Sequence, residues 1–321
     1  MVNDKKRLFF IFRIFISLTL LLGLFWLMRG RLDNLSEILK SVKPGFFFAG
    51  LFVNVLVVIW AGLRIRLLFL VHKINFNLEE SMRLVLIAQF FNNFLPSTVG
   101  GDVIKVYYAR HRSGGMLKPF SAVFIDRLIG TASLVFLASV SLLLRGDLIK
   151  NSGIKIAVAA MSVIFLALVL FFSNDTIAGK LAWVFKDIKI FNFTQRLKEI
   201  YKAVAVFRRT KQLWWAGLFA LCTHISVAFG TYLLALSLSL QLSLFVFFVL
   251  MPVIGVLSNL PSLNGLGVRE GAFVYVFGGL LKPEMALALS ILFLSQLIVI
   301  SLLGGITYLF TGGLKEGEVA V

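Results

Sequence analysis

The chain has 321 residues, of which 59% are hydrophobic and 15% are charged, and its mean hydropathy is +0.95. Soluble domains are about 45–50% apolar, so this composition excludes a soluble globular protein and predicts an all-α polytopic membrane protein. In a soluble protein the net charge of +17 would suggest nucleic-acid binding. Here it fits cytoplasmic loops whose Lys and Arg residues face anionic lipid headgroups, and no nucleic-acid partner is expected.

Six segments are apolar over the roughly 20 residues that a membrane-spanning helix needs. We predict spans at about 8–28, 46–70, 119–144, 154–173, 213–237 and 286–311. The first span follows Lys5, Lys6 and Arg7, and its apolar run is longer than that of a signal peptide. We therefore interpret it as a retained helix with a cytoplasmic N-terminus. Residues 1–321 are predicted to form a single transmembrane domain in the cell (inner or plasma) membrane.

A short phrase occurs twice along the chain, as LPSTVGGDV at residues 95–103 and as LPSLNGLGV at residues 260–268. Pro and Gly interrupt helices, so the apolar regions at about 82–104 and 244–281 are predicted to be helix–break–helix units. Such units are either re-entrant or cross the membrane fully. Interrupted helices at corresponding positions in two halves of a membrane protein point to a transporter's binding site.

Loop charges predict the orientation of these segments. The loop at about 174–212 carries nine Lys or Arg residues against three acids, so it is placed in the cytoplasm, whereas the link at 238–243 is uncharged and suits the outside. This scheme needs the first broken unit to open to the cytoplasm and the second to the outside, as in an inverted repeat. Within the basic loop, residues 195–208 fit either an amphipathic helix on the inner leaflet or a solvated helix packed on the protein.

A broken helix is tolerated in a membrane only where it is buried or lines a wet cavity, and the N-termini of its half-helices favour anions. Gly100, Gly101, Gly265 and Gly267 would let the backbone approach a lipid headgroup. The alternative is that these glycines only permit tight helix packing.

Charged residues inside membrane segments are costly and tend to mark function. Asp126 and Arg127 are adjacent, so on a helix they point about 100° apart, and each needs a partner from another segment. Asp126–Lys105 and Asp102–Arg127 are two such pairings, and a purely structural role for them is the alternative. Arg64 and Arg66 lie toward the end of a span, and we interpret them as side chains that snorkel to the interface.

The sequence contains no G-x-S-x-G, H-E-x-x-H or P-loop motif, and no carboxylates paired at an acid–base spacing. The one cysteine, Cys222, and the three histidines show no metal-ligand spacing. Neither a metal site nor a cofactor is predicted.

Three motifs carry a family resemblance: Asn93 to Lys105, Asp126 to Gly130, and Leu260 to Glu270. In this order they resemble the lysylphosphatidylglycerol synthase transmembrane family, also called flippase-like or UPF0104 membrane proteins, and the resemblance covers about residues 10–311. In two-domain members this membrane part is linked to the flipping of aminoacylated phospholipid, which a separate soluble domain makes. The present chain ends at Val321, soon after its last span, so we expect no synthase domain.

The resemblance implies that residues 100–102, Asp126 with Arg127, and residues 264–270 line a central cavity. The sequence departs from the pattern of this family at two places, and these departures leave the identity of the headgroup undecided. Lys105 stands where many relatives have Arg, which loses a bidentate phosphate contact. In the second repeated motif, Asn264 and Gly265 stand where relatives often have the fuller Pro-Gly-Gly form.

The predicted function is the movement of a phospholipid or lipid-linked headgroup between leaflets. The predicted headgroup- or phosphate-binding residues are Asn93, Ser97, Gly100, Gly101, Lys105, Arg127, Asn264, Gly265, Gly267 and Arg269. Three carboxylates are predicted to pair with the cationic residues of this list or to couple transport. They are Asp102, Asp126 and Glu270. The expected partners are membrane phospholipid, anionic lipid at the cytoplasmic face, and either a second copy of the chain or a partner synthase. The alternatives are a membrane-embedded transferase acting on a lipid-linked substrate and an accessory scaffold of an envelope enzyme.

Overall fold

The computed structural model describes residues 32–94, 100–149, 151–173, 206–258 and 265–311. The predicted span at 8–28, Ser97, Asn264 and most of the basic loop at 174–212 lie outside these ranges. Every regular element in the described residues is helical, which confirms the all-α class. The ten α-helices of this part of the chain are α1 Leu32–Lys40, α2 Pro44–Val71, α3 Leu78–Phe94, α4 Gly100–Ser113, α5 Leu117–Arg145, α6 Ser152–Ser173, α7 Lys211–Ser237, α8 Leu244–Leu257, α9 Val268–Phe277 and α10 Pro283–Phe310.

Four of these helices, α2, α5, α7 and α10, are long and apolar enough to cross a membrane. Each has 27 to 29 residues, which at 1.5 Å per residue is about 40 Å and exceeds the hydrocarbon thickness of about 30 Å. Pro44 and Pro283 stand in the first turns of α2 and α10, where the missing N–H of proline leaves no intrahelical hydrogen bond unmade. The chain is a multi-pass membrane protein.

The first repeated phrase lies between two helices that pack as an antiparallel pair, α3 and α4, which we call hairpin A (78–113). At its base, Arg112 Nη2 lies 2.6 Å from Glu80 Oε1. At its tip, the Gly101 N–H donates to Asn92 Oδ1 over 2.7 Å. The hairpin extends beyond the predicted unit at 82–104 because Glu80 and Asn77 cap the start of α3, with reciprocal backbone-to-side-chain bonds of 2.8 Å.

The second repeated phrase lies between α8 and α9, which form a second antiparallel pair, hairpin B (244–277). At its base, the rings of Phe247 and Phe277 have centroids 5.6 Å apart. At its tip, a Cβ added to Gly265 would lie 3.2 Å from the Ser258 carbonyl oxygen. The 14 residues of α8 and the 10 of α9 span about 21 and 15 Å. Each helix is therefore too short to cross the bilayer alone.

The two hairpins enter the bundle from opposite ends. The base of hairpin A lies beside the end of α2, where Arg66 Nε donates to the Phe76 carbonyl oxygen over 3.1 Å. The base of hairpin B lies beside the end of α5, where the Arg145 guanidinium sits 5.8 Å from the centroid of the Phe245 ring. The long helices α2, α5 and α7 run between these two ends and hold the hairpin tips inside the bundle.

Polar side chains also tie the long helices together within the apolar layer. Gln296 of α10 donates from Nε2 to the Phe47 carbonyl oxygen over 2.9 Å and accepts from Asn54 Nδ2 over 2.7 Å, both groups belonging to α2. Because no water competes for these groups in hydrocarbon, such bonds fix how neighbouring helices pack.

Candidate functional site

Two carboxylates and three cations form one network between α2, α4 and α5. Asp126 receives Arg64 Nε at 2.5 Å on Oδ1 and Lys105 Nζ at 3.3 Å on Oδ2. Asp102 pairs with Arg127 and lies 3.5 Å from Lys105 Nζ. Both pairings suggested by the sequence, Asp126–Lys105 and Asp102–Arg127, are present in this network.

The interpretation of Arg64 as a snorkelling side chain is wrong. The Arg64 side chain is only 12% exposed, and its guanidinium is held by Asp126, which is 4% exposed. Arg64 is thus a member of the network that the sequence analysis missed, because an Arg two turns from a helix end fits snorkelling and inward pairing equally well.

The tip of hairpin A is built around a close approach between helix backbones. A Cβ at Gly101 would overlap the Ala88 carbonyl oxygen of α3, and the Gly101 N–H is already used by Asn92. Gly100 is buried at the first residue of α4. At Gly101, therefore, the missing side chain makes room for α3.

The tip of hairpin B carries a buried ion pair on consecutive residues. Arg269 donates from Nη2 to Glu270 Oε1 over 2.9 Å, and both side chains are 4% exposed. The second oxygen, Glu270 Oε2, accepts the Gly267 N–H over 2.6 Å. Gly265 and Gly267 have φ angles of +79° and +80°, a left-handed conformation that favours glycine. This turn aims the first residues of α9, and with them Arg269, into the bundle.

Residues from both hairpin tips face a single cavity of about 430 Å³. Arg127 of α5 and Arg269 of α9 both line it. The lining consists of Gln89, Asn92, Arg127, Leu134, His224, Val227, Met251, Pro252, Ile254, Gly255, Ser258, Arg269, Phe293 and Leu297. The cavity is therefore mostly apolar, with two guanidinium groups and a few uncharged polar groups.

The cavity lies at mid-height in the bundle. His224, one of its lining residues, places Nε2 2.9 Å from the Gly130 carbonyl oxygen. His224 lies near the middle of α7 and Gly130 near the middle of α5. Because both helices are long enough to cross the membrane, the cavity is about equally far from either end of the bundle.

The predicted binding residues divide into three groups. Arg127 and Arg269 line the cavity. Ser97 and Asn264 lie outside the described residues. Six other predicted binding residues, all in the described part of the chain, are not among the cavity's lining: Asn93, Gly100, Gly101, Lys105, Gly265 and Gly267. The three predicted pairing residues, Asp102, Asp126 and Glu270, do not line it either. The ion pairs of Lys105 and Glu270, given above, place these two residues beside the arginines.

Four polar lining residues were missed by the sequence analysis: Gln89, Asn92, His224 and Ser258. Asn92 and Ser258 come shortly before the repeated phrase in each copy, so their position relative to the two breaks was an available signal. His224 had no signal, because a single histidine in an apolar run gives no indication of which helix it faces.

Comparison with known families gives a match over most of the chain. The family model of the lysylphosphatidylglycerol synthase TM region matches residues 11–304. Comparisons with curated proteins and with solved structures give no match. The matched range contains both hairpins and all of the cavity-lining residues, and the chain therefore belongs to the family of the lysylphosphatidylglycerol synthase TM region.

Proposed function

We propose that this protein moves a phospholipid or lipid-linked headgroup between the two leaflets of the membrane. The observation that carries the proposal is the position of Arg127 and Arg269 on one largely apolar cavity at mid-height in the bundle. Two guanidinium groups in such surroundings suit a phosphate, which they bind through charge-assisted hydrogen bonds. The acyl chains would remain in the bilayer while the headgroup occupies the cavity.

The carboxylates hold these arginines ready for the ligand. Asp102 engages Nε of Arg127, and Glu270 Oε1 engages Nε and Nη2 of Arg269 at 3.2 and 2.9 Å. Guanidinium groups fixed in this way lose less rotational freedom when a phosphate binds. In this proposal Asp102, Asp126 and Glu270 therefore orient the cations.

The arrangement of the hairpins supports movement from one side to the other. Hairpins A and B enter from opposite ends, and their tips meet at the cavity. Small displacements of one hairpin against the long helices would open the cavity toward its own side, as in the alternating access of transporters with broken helices.

The test uses the full chain in proteoliposomes that contain a phospholipid with a fluorophore on its acyl chain. A membrane-impermeant reductant reports how fast the label moves from the inner to the outer leaflet. We expect protein-dependent movement, and we expect Arg127→Gln and Arg269→Gln each to slow it about tenfold or more, since each removes a charge-assisted contact to phosphate.

Arg83→Gln is the matched control. It removes the same charge from a side chain that is 51% exposed, away from the cavity, and pairs with Glu79. Transbilayer movement that is no faster with protein than without it would contradict the proposal, as would equal rates in the Arg127, Arg269 and Arg83 variants.

A further inference from the structure

We infer that the cavity selects headgroups that carry an O–H or N–H donor beside the phosphate, and that His224 and Ser258 recognise this donor. The inference builds on the proposed role of the cavity in binding lipid and names the class of lipid that it takes. It rests on which polar atoms of the lining can only accept a hydrogen bond.

His224 has a defined donor and acceptor side. A carbonyl oxygen only accepts hydrogen bonds, so the contact of 2.9 Å with Gly130 requires the hydrogen on Nε2. The other ring nitrogen of the neutral imidazole, Nδ1, then carries a lone pair. Within the described part of the chain, Gly130 is the hydrogen-bond partner of this ring, which leaves Nδ1 to accept from a ligand in the cavity.

Ser258 is also restricted to accepting. Its hydroxyl donates its only hydrogen to the Ile254 carbonyl oxygen over 2.7 Å, so Oγ offers lone pairs alone to the cavity. Ser258 directly follows the end of α8 at the tip of hairpin B, whereas His224 belongs to α7. Two separate elements thus supply acceptors to the same space.

The other polar lining residues supply hydrogen-bond donors, and Gln89, whose amide both donates and accepts, can serve either set. Arg127 and Arg269 are donors only, and Asn92 uses its Oδ1 to accept from Gly101, which leaves its Nδ2 as a donor. A headgroup that satisfies both sets needs phosphate oxygens for the donors and a hydrogen-bearing group for the acceptors. Phosphatidylglycerol offers hydroxyl groups and phosphatidylethanolamine an ammonium group. The trimethylammonium group of phosphatidylcholine has no N–H to donate.

A site built to hydrogen-bond a substrate group discriminates against an analogue that lacks it, because the site's polar atoms are then left unpaired. We therefore expect phosphatidylglycerol and phosphatidylethanolamine to bind about threefold to tenfold more tightly than phosphatidylcholine, the range of one or two lost hydrogen bonds.

The experiment measures binding of the three lipids, each with the same acyl chains, to the full chain in detergent at pH 8. Native mass spectrometry of an equimolar mixture gives their relative occupancies directly. We expect Ser258→Ala and His224→Phe each to reduce the preference over phosphatidylcholine. Ser258→Ala keeps the proposal testable if His224→Phe fails to fold, because the Ser258 hydroxyl donates to Ile254 of the adjoining helix rather than to a distant element. Val227→Ala is the matched control: it changes the shape of the same lining without a polar atom and should keep the preference.

Equal occupancy of the three lipids on the unmodified protein, or no lipid bound, would overturn the inference. A preference that Ser258→Ala leaves unchanged would overturn the assignment to these acceptors. A clear binding preference without transbilayer movement in proteoliposomes would support the inference and contradict the proposed transport, so the two failures are distinguishable.

Discussion

Arg64 and Asp126 form an ion pair inside the helical bundle, with 2.5 Å between Nε and Oδ1. The two residues are 62 positions apart in the chain and connect α2 with α5. Lys105 of α4 reaches the second oxygen of the same carboxylate. Asp126 therefore binds two cations from two other helices and is the electrostatic centre of the network beside the cavity.

Asp126→Asn is expected to destabilise the protein by about 3–5 kcal/mol, because it leaves buried cations without their carboxylate. Thermal unfolding in detergent measures this loss. In a double-mutant cycle, Asp126→Asn combined with Arg64→Gln should cost less than the sum of the single changes. Glu79→Gln breaks an exposed pair with Arg83 and should cost less than about 1 kcal/mol. Additive losses at positions 64 and 126 would show that the pair does not couple the helices.

Gly304 sets how closely α10 packs against α3. A Cβ at this position would overlap the Leu86 carbonyl oxygen, a backbone atom that cannot rotate away. We expect Gly304→Ala to lower stability by about 1–3 kcal/mol, as overpacking does. Gly217→Ala is the control, since no atom lies within 4 Å of its added Cβ, and this helical Gly-to-Ala change should leave the unfolding temperature unchanged or slightly higher. If both variants unfold at the same temperature, the close approach of α10 to α3 is not needed for stability.

The class of fold and the positions of the two breaks follow from the sequence because their causes are local. Apolar runs of span length predict the long helices, and Pro and Gly within such runs predict where helices end. The pairing of Arg64 with Asp126 has no local cause. It depends on which faces of α2 and α5 meet, and that is decided by packing, including close contacts such as the one at Gly304.

The candidate site likewise contains residues that the local sequence predicts and residues whose placement depends on how the helices pack. Arg127 and Arg269 were predictable because charge is rare in apolar segments and marks function. His224 was not predictable, because its role depends on Gly130, a backbone carbonyl on another helix. Asn92 illustrates the intermediate case. Asn92 and Asn93 both lie shortly before the first repeated phrase, but only the helix register decides that Asn92 faces Gly101 and the cavity.

The lowered pKa of His72 predicts how the stability of the protein changes at acidic pH. His72 follows the end of α2, where burial and, to a smaller extent, the positive charge of Lys118 lower its pKa below the usual 6.5. The ring nitrogen Nε2 lies 2.7 Å from Ser121 Oγ. His72 binds a proton more readily in the unfolded chain than in the folded protein. The stability of the protein is therefore full above pH 6.5 and falls as the pH drops below this value.

The measurement compares the unfolding temperature at pH 7.5 and pH 5.5. His72→Gln should reduce the fall seen in the unmodified protein, because the glutamine does not titrate. His111→Gln, at an exposed position of α4, is the control and should leave the fall unchanged. A fall that is equal in the His72 variant and the unmodified protein would assign the acid sensitivity to other groups.

The two hairpins predict which loops each side of the membrane exposes. Gly115, beside the base of hairpin A, is exposed and has no atom within 4 Å of an added Cβ. Gln241 is exposed near the base of hairpin B. Basic residues surround the first position, while residues 238–243 carry no charge, so the first is expected in the cytoplasm and the second outside.

Single cysteines at these positions, in a Cys222→Ser background, report the orientation through a membrane-impermeant maleimide. Gly115→Cys should react in inside-out vesicles and Gln241→Cys in right-side-out vesicles. Reaction of both in the same vesicles would contradict the opposed entry of the hairpins, because α5 and α7 separate their bases. The opposite pattern would preserve that geometry and reverse only the orientation. The accessibility of two positions therefore separates the fold of the hairpins from their direction in the membrane.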